Sequence, residues 1–435
     1  MIQQILFILV TALALTLFIR KVRFIRRNIL LGSLDSGRDR PGLRWKNTLL
    51  LALGQKKMFR NPLVAVLHLF IYAGFVIINL EILEIILDGL TGNHRMFSPL
   101  LGGLYPVLIG CFEVLAVLVL IACMVFLIRR NLLQIRRFRS RDLEGWPRSD
   151  ANYILITEIA LMCFFLTLNT TDHALQVQGI AHYRQTGAFW ISGPLSGLVS
   201  HWPPSRLILW ERSSWWLHIL GIFAFLNYLP YSKHLHILLA FPNAYYGRLD
   251  PPGKMNNMPD VQREVSLMFQ QEPQGEQTAS PQQKKFGARD IGDLSWKNLL
   301  DAYSCTECGR CSASCPATQT GKKLSPRKIM MDTRDRMEEV GRSLDQGKSG
   351  MADGKSLLRD YISEEELRAC TTCNACVQEC PVSINPLDII LQLRRYLVME
   401  ESSAPQEWQM MFNNIENNQA PWKFPASGRA DLAKS

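Results

Sequence analysis

Eight of the eleven cysteines in this 435-residue sequence fall into two blocks near its C-terminal end. The first reads Cys305-x2-Cys308-x2-Cys311-x3-Cys315-Pro316, the second Cys370-x2-Cys373-x2-Cys376-x3-Cys380-Pro381. Three thiolates two residues apart wrap the corners of one [4Fe–4S] cubane, and the fourth, carried off by the proline, serves the other cluster. The spacing predicts Cys305, Cys308, Cys311 and Cys380 on one cluster, with Cys370, Cys373, Cys376 and Cys315 on a second. A single CxxC block would suit zinc equally; four cysteines per block, duplicated and each closed by proline, favour iron–sulfur chemistry. Cys111, Cys123 and Cys163 are scattered in apolar runs, where cysteine packs as a small apolar residue. This usage is no disulfide framework and puts the blocks on the reducing side of a membrane.

The elements that must position them differ sharply between the two halves of the chain. The first half is apolar, and five runs are long enough to cross a bilayer: Ile2–Ile19, Leu63–Leu87, Leu104–Ile128, Tyr153–Leu175 and Trp215–Phe241. The first has no basic residue before its apolar core and no small-residue cleavage site, so it reads as an uncleaved span. The formal net charge is +10, but Lys and Arg crowd the flanks of the runs, which is a topology signal and argues against a nucleic-acid partner. Residues 20–60 and 129–150 are dense in Lys and Arg, whereas the loop 91–103 carries Arg95 and the loop 176–214 only Arg184, Arg206 and Arg212. The positive-inside rule then places the N-terminus outside and everything after Phe241, including both cysteine blocks, in the cytoplasm. Segment 43–60 reads as a helix on the cytoplasmic surface. The tryptophans of the long outer loop (Trp190, Trp202, Trp210, then Trp215 and Trp216) read as an interfacial belt, with a quinone-pocket cover as the competing reading.

Histidines inside spans are the next candidates. His218 and His236 stand eighteen residues apart in the fifth run, which on a continuous helix is five turns, one face and about 27 Å. His234 is rotated away, with Pro230 kinking the helix between. His68, near the cytoplasmic end of the second run, falls at the depth of His236, and two imidazoles from facing helices clamp a haem iron. A lone histidine is more often a packing residue; a matched pair beside iron–sulfur clusters favours haem b. Acids inside spans are costly and therefore candidates for function. Glu113 is the one chosen as a proton relay to a quinone; Glu81, Glu84 and Asp88 share a face of the second run, and Glu158 lies near the inner end of the fourth. For Glu84 and Asp88, snorkelling to the interface is the favoured reading.

The five runs, the outside N-terminus and the two-histidine fifth helix resemble the nitrate reductase gamma subunit family of di-haem cytochromes b. The run Pro230-Tyr-Ser-Lys-His-Leu-His236 resembles the corresponding stretch of its heterodisulfide-reductase-related branch. In that family the second span carries two histidines ten residues apart, each paired with one of the fifth. The resemblance implies His68 and His236 as ligands of the inner haem and His218 as one ligand of an outer haem. The tenth residue after His68 is Ile78, which cannot ligate iron. His173, at the outer end of the fourth span, is the substitute partner; otherwise His218 belongs to a quinone pocket.

After the spans, 242–290 reads as a polar linker with Pro251-Pro252, Gln270-Gln271 and Gln282-Gln283, its early part Asn243–Leu249 packing at the membrane surface. Helices are expected at Ser295–Tyr303, with Ser295 as N-cap, at Pro326–Val340, Glu364–Ala369 and Ile389–Val398. The 54 residues between the blocks and this helical pattern resemble the α-helical ferredoxin domain shared by the iron–sulfur subunits of fumarate reductase and of heterodisulfide reductase. Its motifs stand here as Cys-Thr-Glu-Cys-Gly-Arg-Cys-Ser-Ala-Ser-Cys-Pro and Cys-Thr-Thr-Cys-Asn-Ala-Cys. The tail 401–435, with Trp408, Met410, Met411, Phe412, Trp422 and Phe424, reads as a docking segment, with disorder as the alternative. Lys322, Lys323, Arg327 and Lys328 are a second docking candidate or a solvated charge run.

The expected fold is all-α: a five-helix transmembrane cytochrome b bundle over 1–241, the linker 242–290, an α-helical ferredoxin domain with two [4Fe–4S] clusters over 291–400, and the tail 401–435. The expected role is a multi-pass electron-transfer subunit of a bacterial or archaeal cytoplasmic (inner) membrane, in contact with lipid and with menaquinone or another quinone. It would carry one haem b, with a second in question, and serve a separate cytoplasmic oxidoreductase. The resemblance implies a CCG-domain, heterodisulfide reductase-like subunit for that partner; an electron-transfer flavoprotein or flavin dehydrogenase is the other candidate. No dinucleotide motif and no nucleophile constellation is visible, so substrate chemistry falls to the partner. Quinone reduction from a cytoplasmic donor, quinol oxidation towards a disulfide reductase, and a non-catalytic membrane scaffold are the three readings.

Overall fold

The computed structural model describes residues 1–33, 39–133, 135–251, 253–254, 257–269, 285–348, 350–423 and 426–433. Pro252, the pairs Gln270-Gln271 and Gln282-Gln283, and Phe424 lie outside the described residues. Long apolar stretches give four helices able by length and composition to cross a membrane: α1 (Ile2–Ile29), α2 (Pro62–Thr91), α3 (Tyr105–Asn131, with the short turns before it from Phe97) and α4 (Trp146–Val177). Their ends follow local chemistry. Asn61 caps α2, its side chain accepting from the backbone of Val64 ahead of Pro62, and α2 stops at Gly92 in the left-handed region (φ +78°). Arg26 and Arg27 close α1, and Arg129 and Arg130 close α3, both at helix C-termini where cations are favoured.

The fifth run departs from expectation. It forms α5 (Pro204–Tyr228), passes through two 3-10 turns at Leu229–Tyr231 and Lys233–Leu235, and restarts as α6 (His236–Tyr245). Pro230 offers no N–H to continue the ladder, and Ser232, extended at ψ +155°, caps the next turn by accepting from the backbone of His234. His218 and His236 therefore stand on two separate helices, and the single-face, five-turn relation between them does not hold. The 43–60 segment is likewise broken, into a helix at Pro41–Asn47, a π turn at Thr48–Leu53 and a 3-10 turn at Met58–Arg60. Leu43, Trp45, Leu49 and Leu50 are exposed.

Over the cysteine region, α7 (Trp296–Ser304), α8 (Pro326–Asp345) and α9 (Pro386–Arg395) form the frame. Ser295 and Asn298 make a capping box on α7, and Ser363 and Glu366 make another on the short helix Glu364–Arg368. A helix at Pro259–Phe269 forms where a linker of little structure was expected, and the tail forms Gln406–Asn418, with Trp408, Met410, Phe412 and Ile415 exposed.

The two halves pack against each other. At 1.5 Å per residue, the 28 residues of α1 outrun a hydrocarbon layer of about 30 Å. Its last turns enter the cysteine region, where buried Asn28 donates to Tyr303 Oη (3.0 Å) and to the Met337 carbonyl (3.2 Å), and Lys21 pairs with Glu338 at 2.9 Å. Ile25, Leu229 and Leu235 join the same apolar cluster as Leu299, Met337 and Leu393. Arg327, read from sequence as a docking charge, is buried and forked onto Asp142 of the α3–α4 loop (2.9 and 2.6 Å), so it ties the halves together instead. Lys328 is engaged by Asp332 and Glu366.

Candidate functional site

Both cysteine blocks adopt one backbone pattern. Glu307 (φ +52°) and Gly309 (φ +71°) follow Cys305 by two and four residues; Thr372 (φ +56°) and Asn374 (φ +62°) follow Cys370 in the same way. Alternation of left-handed and ordinary residues turns successive N–H groups inward as a nest for an anionic group, the geometry that iron–sulfur sites use. Backbone N–H groups already point at sulfur: Thr372 N lies 3.4 Å from Cys370 Sγ and Ile384 N 3.3 Å from Cys380 Sγ.

The sulfurs gather across the blocks. Cys305, Cys308, Cys311 and Cys380 line one small cavity of about 20 Å³, which Cys376 also borders. Cys315 and Cys373 are neighbours of both Cys370 and Cys376. All eight are free thiols. Among the described residues no three His, Cys, Asp or Glu groups converge on a single metal ion. Four thiolates on one zinc would all lie about 2.3 Å from it, a convergence that the described residues do not show. Burial pushes the thiols of Cys305 and Cys376 up to about 12 and that of Cys380 to about 11. Thiols of that kind stay protonated unless a metal displaces the proton. Glu307 is held below its ordinary range: burial opposes its charge, but Arg334 (2.7 Å) and Lys233 (2.6 Å) prevail.

The histidines divide into two situations. The His68 and His236 rings are 6.5 Å apart between centres. Two imidazoles sharing one metal at about 2 Å each place their ring centres roughly 6 Å apart, so the pair has the separation of two ligands on one iron. His68 Nδ1 donates to Gln55 Oε1 and His236 Nδ1 to the Lys233 carbonyl, each at 3.0 Å, which leaves both Nε2 lone pairs for a metal. The break in the fifth run also brings His234 to 5.6 Å from His236, where a continuous helix would turn it elsewhere. His218 is different. Its Nδ1 donates to the Leu161 carbonyl (3.0 Å), its Nε2 is buried without a partner among the described residues, and it lies beside Phe165. His173 sits twelve residues, about 18 Å, along α4 from Leu161, hydrogen-bonded to Ser196 and packed on Phe189. The expected His173–His218 pair is not formed, and the residues around His218 do not fit a second, two-histidine haem. Glu113 is fully buried and spends both oxygens, on the Asn169 amide and on the backbone N–H groups of Ile191 and Ser192, as a clamp on the loop between α4 and α5.

Sequence reasoning missed a buried ionic network at the opposite end of the bundle. Arg95 donates to Asp172 (2.8 and 3.0 Å) and Asn169 (2.6 Å) and lies 3.6 Å from Glu81; His94 Nε2 meets Asp172 at 3.0 Å. Glu84 and Asp88 do not snorkel. Glu84 accepts from Phe97 N and Tyr105 Oη, and Asp88 from the backbone of Arg95 and Met96. Glu84, Asp88, His94, Arg95 and Asp172 border a cavity with Trp215 as part of its wall. The available signal was an Arg beside a His in the otherwise uncharged loop after α2.

Residues 301–384 match the 4Fe-4S dicluster domain. Along almost its whole length (97%) the chain is similar to the probable iron-sulfur-binding oxidoreductase FadF of Bacillus subtilis, 28% identical over 449 aligned residues that make up 59% of that protein. It is similar over 90% of its length to the EtfAB:quinone oxidoreductase of Syntrophomonas wolfei, again 28% identical, covering 54% of that protein. A further 108 residues are 36% identical to one subunit of a ferredoxin/F(420)H(2)-dependent CoB-CoM heterodisulfide reductase from Methanosarcina acetivorans, a quarter of this chain and 53% of that one. The chain thus spans a little over half the length of these curated relatives. No solved structure matches. The relatives are iron–sulfur oxidoreductases and heterodisulfide reductase subunits, and with four apolar helices beside a dicluster domain they support membrane-associated electron transfer.

Within the dicluster domain, Gly309 has no room for a side chain. A Cβ there would lie 2.5 Å from Arg327 Nη1 and 3.2 Å from the Arg137 carbonyl. Gly309→Ala should therefore strain a left-handed residue, at about 1–2 kcal/mol, and displace the Arg327–Asp142 fork. The expected result is loss of roughly half of about eight cluster irons from the purified chain. Full iron content in the variant would show that the cage tolerates the shift.

Proposed function

We propose that the chain is a membrane-anchored electron-transfer subunit that binds two [4Fe–4S] clusters and one haem b and works between a quinone in the bilayer and a cytoplasmic oxidoreductase. The observation that carries this reading is the His68–His236 pair, 6.5 Å apart with both Nε2 atoms free, placed next to the Cys305, Cys308, Cys311 and Cys380 cage. Lys57 links the two places, since it precedes α2 and donates to the Cys380 carbonyl at 3.0 Å. Haem and clusters, when bound, supply one-electron carriage; the protein supplies ligands, spacing and exclusion of water. His68 and His236 would ligate the haem through Nε2. Cys305, Cys308, Cys311 and Cys380 would hold the cluster next to it, and Cys315, Cys370, Cys373 and Cys376 the cluster farther out. Cys373 and its neighbours Thr371 and Thr372 are exposed, which suits this outer cage to exchange with a partner, with the exposed apolar side chains of Gln406–Asn418 as a docking element.

The basic segments 39–60 and 136–143 lie at the cysteine-bearing end, which supports a cytoplasmic dicluster domain and an N-terminus outside. The name of the Syntrophomonas relative supports quinone reduction from a cytoplasmic flavoprotein donor. Glu113 and His173, both committed to local hydrogen bonds, are assigned structural roles, and His218 is left without a haem. The test is spectroscopic. The purified chain should show a b-type haem and about eight cluster irons, and a menaquinone analogue should reoxidise both. His68→Ala should remove the haem and leave the cluster iron. If His68→Ala keeps every haem, the ligand assignment fails; if quinol reduces the haem but quinone never oxidises it, the flow runs the other way. A chain with no quinone-linked redox change, even with its partners, is a scaffold.

A further inference from the structure

Each imidazole of the His68–His236 pair is held by a segment that also holds the first cysteine cage. On one side Gln55 receives His68 Nδ1–H. Two residues later, Lys57 Nζ donates to the Cys380 carbonyl (3.0 Å), and the Lys57 carbonyl receives Arg310 Nη1 (3.2 Å). On the other side a single residue makes the whole connection. The Lys233 carbonyl receives His236 Nδ1–H (3.0 Å), and the Lys233 ammonium binds Glu307 (2.6 Å), one of the two residues between Cys305 and Cys308. Lys233 is nine-tenths buried, and an ammonium that far from water persists only when paired. Asp150 is also at hand, but its carboxylate is 3.9 Å from Nζ and receives the Lys233 backbone N–H instead. The charge of Lys233 is thus spent on the cysteine loop. Gln55 (φ +49°) and Glu307 (φ +52°) are both left-handed non-glycine residues, a conformation that survives only where the surroundings over-determine it.

We propose that Lys233 is a positioning residue for electron exchange between the histidine pair and the first cage, with its two ends fixing the His236 ring and the Glu307 loop in one register. This rests on reading His68 and His236 as haem ligands. The Gln55–Lys57 bracket stays in place when Lys233 is changed, so a Lys233→Met chain is expected to keep both haem and clusters while the register between them slackens.

The experiment mixes the dithionite-reduced chain with a soluble menaquinone analogue and follows haem and iron–sulfur absorbance separately by stopped flow, alongside the low-spin haem EPR signal. In Lys233→Met the haem should reoxidise at the parental rate, while the clusters lag by about tenfold or more, the scale of effect that an ångström-level misplacement produces; the haem EPR line should broaden. Lys233→Arg should restore both. Parental cluster kinetics in a Lys233→Met chain with full haem and iron overturn the proposal, and so does loss of haem or clusters from Lys233→Met and Lys233→Arg alike, which would make the residue merely structural. If Lys233→Met does not accumulate, Glu307→Gln, which keeps an oxygen in reach of Nζ without the charge, is read by the same criteria. A parental chain lacking haem fails the underlying reading and is seen before any variant is made.

Discussion

Cys308→Ser/Cys380→Ser, a double variant that touches both cysteine blocks, should still retain one intact cluster. Cys380 belongs to the second block by sequence, but its sulfur lines the cavity of Cys305, Cys308 and Cys311, with Cys308 as a near neighbour. Removing Cys380 therefore removes the fourth corner of the first cage, which Cys308→Ser has already disabled. Cluster iron in the double variant should fall to about four per chain, the content of one cubane, with the remaining cluster seen by EPR. Cys373→Ser/Cys380→Ser should lose both clusters, although both changes lie within one block. Self-contained blocks would give the reverse: no iron in the first double variant and one cluster in the second. Serine keeps the size of the site and removes the soft thiolate that iron–sulfur chemistry demands, so the contrast reports ligation and not packing. Because the two doubles share Cys380→Ser, a general destabilisation would lower iron in both and could not produce opposite outcomes.

What was legible in the sequence is what neighbours in sequence decide. The cysteine spacing is repeated twice, and the N-cap at Ser295 follows from the residues beside it. Chain neighbours likewise explain why α2 begins at Pro62 and ends before Gly92. Pro230 was legible as a disturbance but not as a break, because the consequence depends on Ser232 capping a new turn and on α6 having the cysteine region to pack against: Asn243 donates to the Val382 carbonyl at 2.8 Å. Glu84 and Asp88 illustrate the opposite case. An acid near a helix end satisfies itself at the interface by local reasoning, but here the loop after α2 folds back and offers the N–H groups of Arg95, Met96 and Phe97, donors that no local pattern announces. Asp172 and Arg95 stand 77 positions apart, and nothing but the fold makes them partners. The cluster cage was readable because its chemistry demands a motif; the buried network was not, because ion pairing demands only proximity.

That network should carry the largest stability effect in the membrane half. Arg95 is 7% exposed at its side chain and faces Asp172 and Glu81, each 1% exposed, while neither oxygen of Glu81 has a hydrogen-bond partner among the described residues. Taking away the guanidinium that contacts both acids leaves two carboxylates in a low-dielectric interior. Removing one member of a buried pair costs about 3–5 kcal/mol, far more than the pair contributes over an apolar replacement. Against a total of roughly 5–15 kcal/mol for a folded domain, Arg95→Ala should lower the melting temperature in detergent markedly and shift the chain toward aggregation. Arg95→Lys should recover only part, since an ammonium cannot fork onto Asp172 and Asn169 together. The decisive comparison is Arg95→Ala/Asp172→Ala. If the loss comes from an orphaned charge, removing the orphan should return a good part of it, so that the two substitutions together cost less than their sum. Additive losses would mean that Arg95 acts through packing alone, through its contact with Phe189 at 5.6 Å, and an unchanged melting temperature in Arg95→Ala would mean that the acids are protonated in the resting protein and need no counter-ion.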